Sequence, residues 1–124
     1  MAVTLYGYAK CSTCRDAMKS LQRKGVEAKL FDMFETAPPQ ERIREWMAAS
    51  GLPLKKLFNT SGEVYKEMNL KDKLGDMSED EQIALLASNG RLVKRPIVVD
   101  SRRKKKITVG FKEEEYERVW GPNT

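Results

Sequence analysis

Cys11-Ser12-Thr13-Cys14 holds both cysteines of a 124-residue chain that has no histidine. Thiol chemistry requires a thiolate where positive potential favours it, with a second thiol in reach to resolve a mixed disulfide. The pair follows a short apolar segment and opens a helical pattern. Cys11 therefore falls at a helix N-terminus, where free N–H groups and the helix dipole stabilise an anion. Cys14 lies one turn later on a face with Ala17 and Met18, which makes it the more buried partner and lets it reach Cys11. Lys10 and Arg15 add nearby positive charge. A redox pair forming a Cys11–Cys14 disulfide is the sharp reading, with Cys11 the nucleophile. Two blander ones stand beside it. The spacing could belong to two inert buried thiols, or to a zinc site completed by carboxylates or by a second chain; no metal is expected.

The absent histidine excludes HExxH metalloproteases and every triad that relies on imidazole. Two cysteines are too few for a disulfide-stapled secreted scaffold. Apolar residues make up 40% and charged residues 33% of the chain, which excludes disorder and a membrane-embedded protein. No apolar run is long enough to span a bilayer, and Met1 to Tyr6 lacks the pattern of a signal peptide, so a cytoplasmic location and no membrane partner are expected. The net charge of +5 is unevenly spread: residues 1–90 carry 13 basic and 13 acidic side chains, residues 91–124 carry 10 and 5. Half of those ten form Arg102-Arg103-Lys104-Lys105-Lys106. A balanced body with one basic loop reads as a solvated turn or a contact for an acidic partner, and direct nucleic-acid binding is not expected.

The elements that must position the cysteines follow from periodicity. Val3 to Tyr8 reads as a buried strand. Cys14, Ala17, Met18 and Leu21 form the apolar face of a helix stopped by Gly25, and Ala28, Leu30 and Phe31 mark a second strand. This βαβ unit requires parallel strands. Pro38-Pro39 opens a helix with Ile43, Trp46 and Met47 on its apolar face, closed by Gly51. Leu52 to Met68 reads as irregular. Ser78 and Glu81 form a capping box ahead of Ile83, Leu85 and Leu86, with Gly90 ending that helix. Ile97-Val98-Val99 is a strand, Ser101 to Lys106 a turn, and Ile107, Val109 and Phe111 alternate along a last strand. Tyr116, Val119 and Trp120 face one side of a closing helix. Trp46, Met47 and Trp120 read as core, Glu113-Glu114-Glu115 as first-turn acids suited to the dipole, and Tyr6 and Tyr8 as sheet residues, Tyr8 near Cys11. The expectation is an α/β chain with a thioredoxin-like fold: a four-stranded mixed sheet from residues 1–33 and 91–124, with residues 34–90 a helical insertion within a single domain.

In such folds a cis-proline before the third strand faces the cysteine pair and presents backbone to an incoming thiol substrate. Arg95-Pro96 stands at that position. Read alone, the proline could be only a strand-boundary signal, and Arg95 could hold an anion or make a structural salt bridge.

Cys11-Ser12-Thr13-Cys14, Leu92-Val93-Lys94-Arg95-Pro96-Ile97-Val98-Val99 and the helical insertion together resemble the arsenate reductase (ArsC-like) and Spx/MgsR family over nearly the whole chain. Leu54-Lys55-Lys56-Leu57-Phe58-Asn59-Thr60-Ser61-Gly62, Met77-Ser78-Glu79-Asp80-Glu81-Gln82 and Val109-Gly110-Phe111-Lys112 look most like its YusI-type branch. The resemblance implies a bacterial thiol–disulfide oxidoreductase with no bound cofactor, reduced by glutathione, glutaredoxin or thioredoxin. Arg95, Pro96 and Asn59 would then bind substrate. Glutathione-coupled arsenate reductases grip the oxyanion with three arginines. Here only Arg95 has a counterpart: Asn59 replaces the first, and the third falls near Val109 or Gly110. Each lost charged hydrogen bond removes about 1.5–3 kcal/mol, which weighs against arsenate as substrate. The alternative implied by the resemblance is an Spx-like redox-sensing regulator that binds the C-terminal domain of the RNA polymerase α-subunit or another protein. The chain lacks the long polar tail of that group.

Overall fold

The computed structural model describes residues 2–102 and 106–122. In chain order its elements are strand β1 (Val3–Gly7), helix α1 (Ser12–Arg23), β2 (Ala28–Asp32), α2 (Gln40–Ser50), α3 (Glu63–Glu67), α4 (Leu70–Lys73), α5 (Glu79–Ser88), β3 (Ile97–Asp100), β4 (Ile107–Val109) and α6 (Glu113–Trp120). Short 3-10 turns occupy Leu54–Leu57, Leu74–Asp76 and Gly90–Leu92. Arg103, Lys104 and Lys105, the centre of the basic run, lie outside the described residues. The chain divides into two compact units, Met1–Asp32 with Arg95–Thr124, and Met33–Lys94.

The first unit carries the sheet, in the order β2-β1-β3-β4. β1 and β2 run parallel with Leu5 opposite Leu30 and Tyr6 opposite Phe31, and the two rings pack with centroids 5.0 Å apart. Parallel neighbours need a crossover, and α1 supplies it. β3 runs antiparallel to both β1 and β4, with Val98 opposite Leu5 and Thr108. This mixed four-stranded sheet, with a cysteine pair where β1 hands over to α1, is the thioredoxin-like fold. Val3, Leu5, Ala17, Leu21, Val98, Tyr116 and Trp120 form its buried core. Each fully buried large apolar side chain contributes about 1.5–3 kcal/mol.

Two readings of this unit are corrected. Phe111 is not on the last strand: β4 ends at Val109, and Gly110 turns the chain with a φ of 80°. Ile107 and Val109 are only half-buried, and Thr108 between them is the buried residue. The reason is a polar partner, because the Trp120 indole N–H donates to the Thr108 hydroxyl at 3.1 Å. Glu113 also does more than favour a dipole. Its carboxylate accepts from Ser20 at 2.9 Å, from Arg23 at 2.8 Å and from Lys24 at 2.6 Å, which clasps the start of α6 to the end of α1.

The second unit is helical. Ile43 and Trp46 of α2 and Ile83 and Leu86 of α5 are buried, and Arg44 pairs with Asp80 at 3.0 Å between these helices. The Ser78–Glu81 capping box is present, with Ser78 accepting the Glu81 N–H at 3.1 Å and Glu81 accepting the Ser78 N–H at 2.9 Å. The segment read as irregular contains the turn Leu54–Leu57 and α3, each too short to show a helical period. It is tied to the return chain by the Asn59 N–H to the Leu92 carbonyl (2.7 Å) and the Lys94 N–H to the Leu57 carbonyl (2.8 Å). Gly90 does not cap α5, which closes on Asn89. Gly90 lies against the Met33 carbonyl, in a space where any side chain would collide with backbone.

Candidate functional site

The site is built where β1 becomes α1. The chain turns through a hydrogen bond from the Cys11 N–H to the Tyr8 carbonyl at 3.1 Å, and α1 starts as the Arg15 N–H donates to the Cys11 carbonyl at 3.0 Å. Cys11 is the N-cap, with φ −77° and ψ 120°. Its Sγ accepts the Cys14 backbone N–H at 3.4 Å, taking the place that a Ser or Asp oxygen usually fills. No acidic residue stands in the first turn of α1 to oppose a thiolate there. Both cysteines are free thiols, Cys11 half-buried and Cys14 buried.

Pro96 and Arg95 reach the same place through the sheet. β3 runs antiparallel to β1 with Ile97 opposite Tyr6, so the residues just before Ile97 lie beside those just after Tyr6. The Arg95–Pro96 peptide is cis, and the Pro96 carbonyl accepts the Gly110 N–H at 2.8 Å, which braces this loop to the end of β4.

The two thiols are shifted in opposite directions. Partial burial alone would raise the Cys11 pKa. Hydrogen bonds from the Cys14 thiol and amide, together with the hydrogen bond and charge of Arg95, outweigh it and hold Cys11 below the ordinary thiol value. For Cys14, burial and the adjacent Cys11 push the pKa up to about 12, against a hydrogen bond from the Tyr8 backbone N–H and the charge of Arg95. The cation that acts on Cys11 is thus Arg95. Lys10 and Arg15, whose proximity in sequence suggested that part, are exposed on the surface.

Cys11, Cys14, Arg95 and Pro96 therefore come together in the first unit. Asn59 belongs to the second unit, where its Oδ1 accepts from the Ser61 hydroxyl at 3.4 Å. Where a third arginine would fall, Gly110 offers a backbone N–H that is already given to Pro96. Sequence reasoning missed the Tyr8 amide as a partner of Cys14. Its signal was only positional, as the first residue past β1.

The ArsC family pattern matches residues 6–119. The protein YusI of Bacillus subtilis (strain 168) is 50% identical over 120 residues, covering 97% of this chain and 99% of YusI. The regulatory protein MgsR of the same organism is 26% identical over 109 residues, covering 88% of this chain and 82% of MgsR. A crystal structure of an ArsC family related protein from Bacteroides fragilis superimposes with a TM-score of 0.88 at 48% identity, covering 96% of this chain and 98% of that one. With its cysteine pair on a thioredoxin-like frame, the chain belongs to the ArsC family.

Proposed function

We propose that this protein is a thiol–disulfide oxidoreductase in which Cys11 attacks and Cys14 resolves. The Cys11 thiolate attacks one sulfur of a substrate disulfide and expels the other as a thiolate. Cys14 then gives up its proton, attacks the Cys11 sulfur of the mixed disulfide and releases the second substrate thiolate. The chain is left with a Cys11–Cys14 disulfide and the substrate has gained two electrons. An external thiol reductant (glutathione, glutaredoxin or thioredoxin) returns the pair to dithiol. Arg95 stabilises the attacking thiolate, and the Arg95–Pro96 loop presents backbone to the substrate. Asn59 is retained as a substrate-binding residue on the family resemblance alone.

The observation that carries this reading is the opposite shift of two adjacent thiols, one held down by a helix N-terminus and Arg95, the other pushed up to about 12 by burial. A nucleophile and a protected resolving thiol are what the two steps require. The single arginine among the expected anion-binding positions favours a disulfide over arsenate as the oxidant.

The test is turnover. The reduced chain, supplied with a mixed disulfide of glutathione and a thioredoxin or glutathione recycling system, is expected to consume reductant catalytically, and Cys11→Ser to abolish it. Stoichiometric oxidation with no cycling would contradict an enzymatic role. It would favour a second reading, a redox switch, for which the extensive match to the regulatory protein MgsR speaks. On that reading oxidation changes binding to a protein partner, of which the C-terminal domain of the RNA polymerase α-subunit is the first to try.

A further inference from the structure

Gly7, the last residue of β1, is buried and has no positive φ, so any residue could adopt its backbone conformation. What makes a glycine necessary there is space. A Cβ at Gly7 would lie 2.7 Å from the Cys14 Sγ, 3.0 Å from the Leu5 Cδ2 and 3.4 Å from the Cys14 Cβ. The first distance is shorter than carbon and sulfur tolerate, whereas the third is ordinary contact, so the conflict falls on the sulfur, which would have to turn away. Beside this gap, the next backbone N–H, that of Tyr8, favours the charged form of the same sulfur.

We infer that Gly7 is a positioning residue for the resolving step: its missing side chain admits the Cys14 sulfur to the end of β1, where the Tyr8 N–H hydrogen-bonds it as it becomes a thiolate. The inference rests on the proposed redox pair and deepens it. Cys14 is buried, and losing its proton exposes a negative charge to apolar walls. Opposing contributions come from the Tyr8 amide and the Arg95 charge. The same contact acts in the reverse direction. When an external thiolate attacks Cys11 of the oxidised pair, Cys14 is the leaving group, and an N–H donor on its sulfur eases departure. A side chain at position 7 displaces the sulfur from that donor; it also displaces the Cys14 thiol from Cys11, which keeps the Cys14 amide and Arg95 as partners.

The two steps separate in the reaction of the reduced chain with the aromatic disulfide DTNB. The first released thiolate reports Cys11 attack and the second reports Cys14 resolution, two electrons passing from the two thiols to the one reagent disulfide. In Gly7→Ala the first phase, for which Cys11 keeps the Cys14 amide and Arg95, is expected to slow less than the second. The second should slow about tenfold, the change in thiolate fraction produced by one pKa unit. An unchanged second phase in Gly7→Ala, with both phases present in wild type, overturns the role of Gly7 and leaves the redox pair standing. A wild-type chain that releases only one thiolate overturns both.

A loss of folding would be decided by coupling. The destabilisation caused by Gly7→Ala is measured by urea unfolding in the wild-type and Cys14→Ala backgrounds. A penalty that shrinks when Cys14 is trimmed places the conflict on the sulfur. An equal penalty in both backgrounds makes Gly7 a packing residue only and contradicts the inference.

Discussion

The Cys14 backbone N–H points at the Cys11 sulfur at 3.4 Å, so the residue that opens α1 is also the one whose charge the helix holds. A cap is ordinarily an oxygen with no further task. Here the atom that satisfies the helix is the atom exposed to reagents, and helix geometry and thiol reactivity respond to the same changes.

Arg95 supplies the side-chain cation for this arrangement. Replacing it with Met removes both its hydrogen bond to Cys11 and its charge, and should raise the midpoint of Cys11 alkylation. Near neutral pH the rate should fall about tenfold per pKa unit. Arg95→Lys keeps the charge and should restore part of the rate. Iodoacetamide kinetics on the two variants measure both effects; equal rates in Arg95→Met and wild type would remove Arg95 from the site.

The Glu113 clasp makes a pH-dependent contribution to stability. Glu113 is held below the ordinary carboxylate value by Lys24 first, then by the Ser20 hydroxyl and Arg23. A lowered folded pKa means stabilisation present above the unfolded value of about 4.3 and lost as pH falls through the folded one. Burial would lower Lys24, but Glu113 and Glu117 raise it, so its contribution is full below its unfolded value of about 10.4 and lost as pH rises through the folded value. Glu113→Gln should therefore lower the melting temperature at pH 7 and converge with wild type as the pH falls through the lowered folded value. Thermal unfolding from pH 7 downward checks the convergence; curves that stay parallel would show that the charge of Glu113 adds nothing, and coincident curves that the whole clasp adds nothing.

In the helical unit, Gly90→Ala drives a methyl into the Met33 carbonyl, and neither piece of backbone can yield cheaply. Overpacking of this kind costs about 1–3 kcal/mol, and the upper end is expected here. Ser78→Ala removes one half of the capping box and should cost about 1 kcal/mol. Urea unfolding ranks the two; Gly90→Ala proving the milder would mean that the segment around Met33 repacks.

Much of this was legible from the chain. The β1–α1 junction, the capping box at Ser78, the glycine at Gly51 and the buried faces of α2 and α6 follow from local patterning, which near neighbours in sequence fix. What was not legible depends on residues far apart in sequence. Glu113 looked like a dipole residue because Ser20 and Lys24 lie about ninety positions away. Ile107, Val109 and Phe111 looked like the alternating face of a strand, whereas the buried residue is Thr108, whose hydroxyl accepts from the distant Trp120 indole. Gly90 looked like a helix stop because its reason is a carbonyl at Met33. At the site, Lys10 and Arg15 are close to Cys11 in sequence, but the antiparallel register of β3 brings Arg95 instead.

The most direct test is the pH dependence of alkylation in the fully reduced chain, with the modified cysteine identified by peptide mass. A redox pair of this geometry predicts that Cys11 reacts with a midpoint below the free-thiol value of about 8.5, while Cys14 stays silent until far above it. Cys11 titrating at or above the free-thiol value, or Cys14 reacting first, would contradict it.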